Sequence, residues 1–245
     1  MKKVLVDNFP RVESYMNFKK STFYKFAVIV RNKDGRTPLI TKESASGETV
    51  IKQWYVDSEE YYLKRAKPEM IALAEATRGR LYMCVERKSS YKMIMLLFDK
   101  ISDIIKEALS NATATPKRLN KIVNGITSDS KCTDKGCKML MYDIDNIDEC
   151  YFYRNTIKDY LVKRMSVKEE DIQIFPSKDG WHVLCPRCFA VENDWRVTAS
   201  YIALEYARAT YPDLTPEQKE DIINTINDIK VEPNQMCLVY YCENN

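Results

Sequence analysis

The sequence predicts a mixed α+β fold, and three observations lead to this prediction. Apolar residues run or alternate in short segments typical of strands, and elsewhere they recur at the spacing of a helix face. From about residue 138 onward the segments follow the order β-α-β-β-α-β, with Asp179-Gly180 as a hairpin turn signal. Hydrophobic content is 45% and charged content is 30%, as in globular chains that bury a core.

The first half of the chain predicts an N-terminal α/β unit. Apolar patterns predict strands at 23–30 and 80–86 and helices at about 57–65, 68–79 and 91–109. The stretch 111–116, NATATP, is the only linker-like segment. We therefore expect one unit at residues 1–115 and a second at 116–245, with the alternative that the two form one continuous domain.

The second half predicts a split βαβ, or ferredoxin-like, unit. Its strands are expected at 138–145, 171–175, 181–185 and 236–241, and its helices at about 148–164, at 194–210 and after a cap at Thr215. Right-handed crossovers place the first and third strands side by side in the centre of the sheet. The fourth strand, MCLVYY, is then expected to flank the first.

Asp143 and Asp145 close the first strand of this unit. Because strand side chains alternate, the two carboxylates share one face. Adjacent carboxylates repel each other unless a cation lies between them, and oxygen ligands of this kind suit Mg²⁺ or Mn²⁺. Such a pair can hold metal ions that activate a hydroxyl and neutralise a triphosphate. The alternative is that these acids only mark the end of a strand.

His182 is the only histidine in the chain, and it lies on the third strand, beside the strand that carries Asp143. An imidazole there is able to contact the phosphates of a nucleotide, and Ser177 and Lys178 across the turn add donors. The alternative is a partly buried structural histidine. Its position beside the Asp-x-Asp strand favours a catalytic and nucleotide-binding role.

This pattern of Asp-x-Asp on one strand, then Ser177 and Gly-Trp-His on a hairpin, resembles the archaeo-eukaryotic primase superfamily. The resemblance covers about residues 138–245. It implies an RRM-like catalytic palm preceded by an α/β unit. It also implies a primase-polymerase, a metal-dependent nucleotidyltransferase that makes short RNA or DNA from nucleoside triphosphates on a single-stranded DNA template.

By this resemblance Asp143 and Asp145 bind the metal, and Ser177 and His182 bind the nucleotide. The third motif of the superfamily, an acid at the end of an apolar strand, is divergent here, because the first acid after the last strand is Glu243. Either Glu243 is the third ligand, or the third ligand is absent and the protein is a nucleotide-binding relative without polymerase activity. Ser177 also precedes His182 by more than the usual S-x-H spacing.

Two expectations about partners follow. Basic residues cluster around the strand at 80–86, and Arg80, Arg87 and Lys88 are candidates for template or phosphate contacts, with a solvated surface as the alternative. The activity also fits a helicase or a second replication subunit as partner, and a virus or mobile element as source.

Apolar runs and cysteine spacing give expectations about the cellular compartment and about a structural metal. Without an apolar run that spans a bilayer or forms a signal peptide, we expect an intracellular, cytoplasmic protein with no membrane partner. The spacing of Cys132 with Cys137, and of Cys185 with Cys188, allows a structural zinc site. Reduced buried thiols are the favoured alternative.

Other enzyme classes fit the sequence less well. A Rep-type nicking enzyme needs a histidine pair, and a ligase needs Lys-x-Asp-Gly, whereas this chain has one histidine and Lys178-Asp179-Gly180. A thiol enzyme built on Cys185 and His182 would need side chains three apart on a strand to share a face. The main rival is an inactive RRM-like module that binds single-stranded nucleic acid through stacked aromatics such as Tyr142.

Overall fold

The computed structural model describes residues 2–31, 47–111, 116–145, 150–187, 211–227, 229–233 and 236–244, together with 201, 204, 205, 208 and 209. Within these ranges the fold is mixed α+β with two antiparallel sheets, which confirms the predicted class. None of the helices within them is long and apolar enough to cross a bilayer. The expected linker at 111–116 and the expected helix at 194–210 fall largely outside the described residues.

The described strands and helices have the following bounds. The strands are β1 (Lys2–Asp7), β2 (Thr22–Arg31), β3 (Glu48–Val56), β4 (Arg80–Cys84), β5 (Lys88–Ser89), β6 (Met139–Asp145), β7 (Gln173–Pro176), β8 (Gly180–Pro186), β9 (Lys230–Pro233) and β10 (Met236–Asn244). The helices are α1 (Phe9–Tyr15), α2 (Glu59–Tyr61), α3 (Lys67–Thr77), α4 (Ser90–Asn111), α5 (Pro116–Ser128), α6 (Cys150–Lys163) and α7 (Pro216–Asn227), with a π-helical turn (Tyr62–Ala66) joining α2 to α3.

The four-stranded sheet has the order β7-β8-β6-β9. Its first and third strands in sequence, β6 and β8, are central neighbours, as the crossover rule predicted. The cap predicted at Thr215 is also present: its hydroxyl accepts a hydrogen bond from the backbone N–H of Gln218, whose side chain accepts one from the N–H of Thr215. Local patterns therefore located most elements of this unit.

The prediction for the fourth strand is wrong. β9 flanks β6, whereas β10 lies in the six-stranded sheet, whose order is β1-β10-β4-β2-β3 with β5 paired to β2. Residues 237–242 of β10 are all buried, and a continuous apolar run of this kind needs cover on both faces. A central position in the six-stranded sheet provides cover on both faces. Val239 and Tyr240 pack into the main core on one face, and Leu238 and Tyr241 pack with Val6 on the other. The short, polar β9 gave no strand pattern.

The two sheets share one core, so the expected boundary at 115/116 does not separate two independent units. Met139, Met141, Phe175 and Leu184 of the four-stranded sheet belong to the same buried cluster as the residues of β2, β4, α1 and α3. A buried side chain also links the sheets: the Asn8 amide donates to the carbonyls of Pro176 on β7, at 2.8 Å, and Leu238 on β10, at 2.7 Å.

Candidate active site

The alternation of β6 separates a core face from a polar face. Tyr142 and Ile144 pack with Ile157 of α6 in the second buried cluster. Asp143 and Asp145 therefore project to the opposite face, as the sequence predicted. Antiparallel pairing with β8 sets His182 directly opposite Asp143 and Gly180 opposite Asp145. Directly opposed residues share a face, so the register itself brings the imidazole to the carboxylates.

Gly180 allows β8 to approach β6 closely at the start of the site. A Cβ atom at this position would lie 1.8 Å from the carbonyl oxygen of Ile144, so no other residue fits without moving a strand. The backbone N–H of Ser177 donates to the carbonyl of Gly180 at 2.9 Å, closing the turn. The Ser177 hydroxyl then reaches Oδ1 of Asp145 at 3.0 Å. The hairpin thus holds Ser177 against the second carboxylate.

Asp143 and His182 form the least satisfied pair of the site. Nε2 of His182 lies 3.2 Å from Oδ1 of Asp143, a distance that suits an ion pair, but the angle does not make a hydrogen bond. Among the described residues, neither Oδ1 of Asp143 nor Nδ1 of His182 has a hydrogen-bond partner, although both atoms are buried. Leaving a buried carboxylate oxygen unpaired costs more than about 1–3 kcal/mol. A cation or a ligand donor at this point would remove that cost.

The opposite wall of the site comes from the six-stranded sheet. A cavity of about 450 Å³ opens between the two sheets, and its lining residues are Ile29, Arg31, Glu48, Arg80, Tyr82, Met141, Asp143, Asp145, Ser177, Lys178, Asp179, His182, Met236 and Leu238. We call this cavity the intersheet cleft. Its volume lies in the range of small-ligand sites. Carboxylates line the β6 side, and Arg31 and Arg80 line the other side.

Cations of the cleft gather around one buried ring. The guanidinium carbon of Arg80 lies 5.1 Å from the ring centre of Tyr241, and Nζ of Lys178 lies 6.0 Å from it. Cation–π attraction holds such groups near a ring face. Arg31 is anchored separately, because its Nε lies 2.8 Å from Oε1 of Glu48. With Arg31 neutralised by Glu48, Arg80 supplies positive charge across from the acidic edge of β6.

Arg87 and Lys88, which the sequence suggested as phosphate contacts, are buried inside the protein. Arg87 is buried and lies 2.7 Å from the carboxylate of Asp134. Burial is the largest single effect on the pKa of Asp134 and raises it, but hydrogen bonds from Arg87 and from the Lys135 backbone, together with nearby positive charge, bring the net pKa below its usual value. Lys88 is fully buried with its Nζ 3.4 Å from Oε2 of Glu86. These buried ion pairs are internal, so of the three basic candidates the structure brings Arg80 alone to the cleft.

Glu243, the candidate for a third metal ligand, belongs to a different sheet from Asp143. The backbone of Glu243 belongs to β10 and pairs with Lys3 of β1, so this residue is not on the strand beside Asp143. The strand beside Asp143 is β9, where Glu232 pairs with Met141, two positions before Asp143. Within the described part of the chain, no group of three or more metal-binding side chains was found.

The described cysteines considered for zinc have buried or ion-paired surroundings. Cys185 is buried in the cluster between the four-stranded sheet and α6. Cys132 is buried, and Cys137 has its sulfur 3.2 Å from the guanidinium of Arg87. Cys188 lies outside the described residues. Burial raises the pKa of both Cys132 and Cys137, which favours the neutral thiol over the thiolate that a metal needs.

Sequence patterns missed the wall that faces the carboxylates. Arg31 and Tyr82 line the cleft because β2 and β4 present these alternate positions to it, and the buried ring of Tyr241 on β10 lies 5.1 Å from the guanidinium carbon of Arg80. The period-2 pattern of each strand was a usable signal for which residues share a face. Which sheet that face would meet cannot be read from the local pattern.

No family model, curated protein or solved structure was found to match this chain.

Proposed function

We propose that this protein is a metal-dependent nucleotidyltransferase of the primase-polymerase type, related to the archaeo-eukaryotic primases. The observation that carries the proposal is the pair Asp143 and Asp145 on one face of β6, at the edge of a cleft whose opposite wall carries Arg80 and the Arg31–Glu48 ion pair. The strand order β7-β8-β6-β9 supports an RRM-like palm. The buried, unpartnered oxygen of Asp143 supports a cation at this edge.

The roles of the residues follow from their charges and positions. Mg²⁺ or Mn²⁺ held by Asp143 and Asp145 would supply positive charge that activates a hydroxyl and neutralises a triphosphate. His182, Lys178 and Arg80 lie where they can donate to phosphate oxygens, and Ser177 orients Asp145 by its hydrogen bond. The reaction is attack of a hydroxyl on the α-phosphate of a nucleoside triphosphate, with release of pyrophosphate.

The rival function, an inactive module that stacks single-stranded nucleic acid, is less well supported. Such a platform presents aromatic faces to solvent. The three rings on the relevant strands, Tyr142, Tyr240 and Tyr241, are all buried, with at most 6% of each residue exposed. Tyr142 packs beneath α6 and Tyr240 lies in the main core. The polar face of β6 instead carries carboxylates, which repel a phosphate backbone unless a metal intervenes.

Metal binding separates the two functions. We expect titration calorimetry to detect Mn²⁺ binding to the wild type, and binding to fall at least about tenfold in Asp143→Asn/Asp145→Asn, because the substitution removes both ligand charges while keeping side-chain shape. Circular dichroism and urea denaturation of both proteins serve as the control for folding. Equal Mn²⁺ affinity in both proteins would favour the module that lacks catalysis.

A related titration identifies the third ligand. Because the backbone of Glu232 pairs directly with β6 whereas that of Glu243 pairs with β1, we expect Glu232→Gln to weaken Mn²⁺ binding more than Glu243→Gln does. Both variants remove one carboxylate charge, so each controls for net charge in the other. A loss in Glu243→Gln alone would restore the assignment made from the sequence.

The biological setting is part of the same proposal. A primase-polymerase takes nucleoside triphosphates and a single-stranded DNA template, acts in replication inside the cell, and works beside a helicase or a second replication subunit. A protein of a virus or mobile element fits this setting. The carboxylates rather than the cysteines are the metal site in this proposal, and zinc has no part in it.

A further inference from the structure

Helix α4 carries an exposed apolar surface that the proposed activity does not use. Six of its side chains are between 36% and 74% exposed: Tyr91, Ile94, Met95, Phe98, Ile101 and Ile105. We call this set the α4 stripe. Single exposed apolar residues are common on protein surfaces, but contiguous ones mark interaction sites. Nothing in the described part of the chain covers the α4 stripe.

The spacing of the stripe is that of a helix-pairing seam. Tyr91, Ile94, Phe98, Ile101 and Ile105 are separated by three, four, three and four residues, which is the spacing of a and d positions in a coiled coil. The seam extends for roughly 21 Å along the helix axis at 1.5 Å per residue. The geometry of one straight, apolar ridge therefore fits another helix more closely than it fits a small molecule.

The α4 stripe is symmetric about Phe98. Tyr91 and Ile105 lie seven residues on either side of it, and Met95 and Ile101 lie three on either side. Reversing the direction of the helix therefore leaves the pattern nearly unchanged. A surface of this kind is complementary to itself in an antiparallel, two-fold arrangement, as isologous interfaces require.

Charge and area both favour a second copy as the occupant. The exposed polar residues on the rest of this helical segment, Asp99, Lys100, Asp103 and Lys106, sum to zero charge, so two copies do not repel each other there. An anionic membrane or a nucleic acid would instead favour an excess of basic residues there. The stripe exposes roughly 600 Å² of apolar side chain per copy, near the ~800 Å² per partner of a standard interface.

We propose that the α4 stripe is a homodimer interface in which two α4 helices pair antiparallel across Phe98. The start of α4 is fixed to the body of the protein, because Nζ of Lys92 donates to the carbonyl of Thr133 at 2.7 Å. A helix held in this way can present its stripe to a second copy in a defined orientation. Dimer formation is independent of the metal site, so the two proposals fail separately.

Sedimentation velocity of the full chain at roughly 1 to 100 µM, a range that brackets common dimer affinities, tests the proposal. We expect a dimer for the wild type. Phe98→Asp is expected to raise the dissociation constant at least about 100-fold, because the anchor side chain is lost on both copies. Lys100→Asp, which places the same charge two residues away on the opposite side of the helix, should leave the dimer intact.

Cysteine crosslinking fixes the direction of the pair. Mixing Tyr91→Cys protein with Ile105→Cys protein should give an intermolecular disulfide, whereas Tyr91→Cys alone should not, because antiparallel helices separate the two equivalent positions. Circular dichroism shows whether each variant is folded, and Phe98 is 74% exposed, so its replacement is tolerated by the monomer. A wild-type monomer at all concentrations, or self-crosslinking of Tyr91→Cys, overturns the proposal; the first result would assign the stripe to a different protein.

Discussion

Replacing Gly180 with alanine tests how closely β8 must approach β6. The added Cβ would lie 1.8 Å from the carbonyl oxygen of Ile144, whereas Cβ atoms essentially never come within 3.0 Å of such an atom. The strands must then separate by more than an ångström, which breaks ladder hydrogen bonds beside Asp145. We expect the free energy of unfolding to fall by about 3 kcal/mol, at the upper end of overpacking costs.

Urea denaturation measures this loss, and Gly125→Ala is the matched control. Gly125 lies in α5 with nothing within 4 Å of the position of an added Cβ, so the substitution should raise stability by about 0.5–1 kcal/mol through helix propensity. The same clash displaces Asp145, so Gly180→Ala should also weaken Mn²⁺ binding. Equal denaturation midpoints for Gly180→Ala and the wild type would refute the close approach of the two strands.

Three further predictions concern buried groups. Asn8→Asp removes the amide N–H donors that join β7 to β10, so the free energy of unfolding, measured by urea denaturation, should fall by about 2–4 kcal/mol. A fall of less than about 0.5 kcal/mol, which is typical of surface substitutions, would contradict this prediction. Lys88→Met leaves the Glu86 carboxylate buried without its ammonium and should cost about 3–5 kcal/mol, most of which the double variant with Glu86→Gln regains. Burial raises the pKa of Cys237 to about 12, so at pH 8 this thiol is protonated and mass spectrometry should find it alkylated in urea only.

Local sequence patterns predicted the parts of the site that lie on one hairpin and its neighbour. The alternation of β6 and the turn at Asp179-Gly180 specify which side chains share a face, and the crossover rule brings His182 beside Asp143. These relations depend on residues within about forty positions of one another, a separation at which chain order still constrains the pairing. The same patterns predicted the helix cap at Thr215 and the mixed fold class.

Long-range pairings and buried charges were beyond these patterns. The place of β10 depends on its pairing with β1, at the other end of the chain, and an apolar run such as 237–242 fits a central strand of either sheet. Arg87 and Lys88 looked like surface charges because a charge cluster carries no sign of its partner. Asp134 and Glu86, which neutralise them, are recognisable only once the fold brings them close.

Nucleotide incorporation tests the central claim most directly. Wild-type protein and Asp143→Ala/Asp145→Ala are incubated with labelled nucleoside triphosphates, a single-stranded template and Mn²⁺ or Mg²⁺, and the products are separated by length. We expect template-dependent incorporation by the wild type that disappears in the double variant. No incorporation by the wild type, together with unchanged single-strand binding by the variant, would contradict the nucleotidyltransferase and leave a binding module on the same fold.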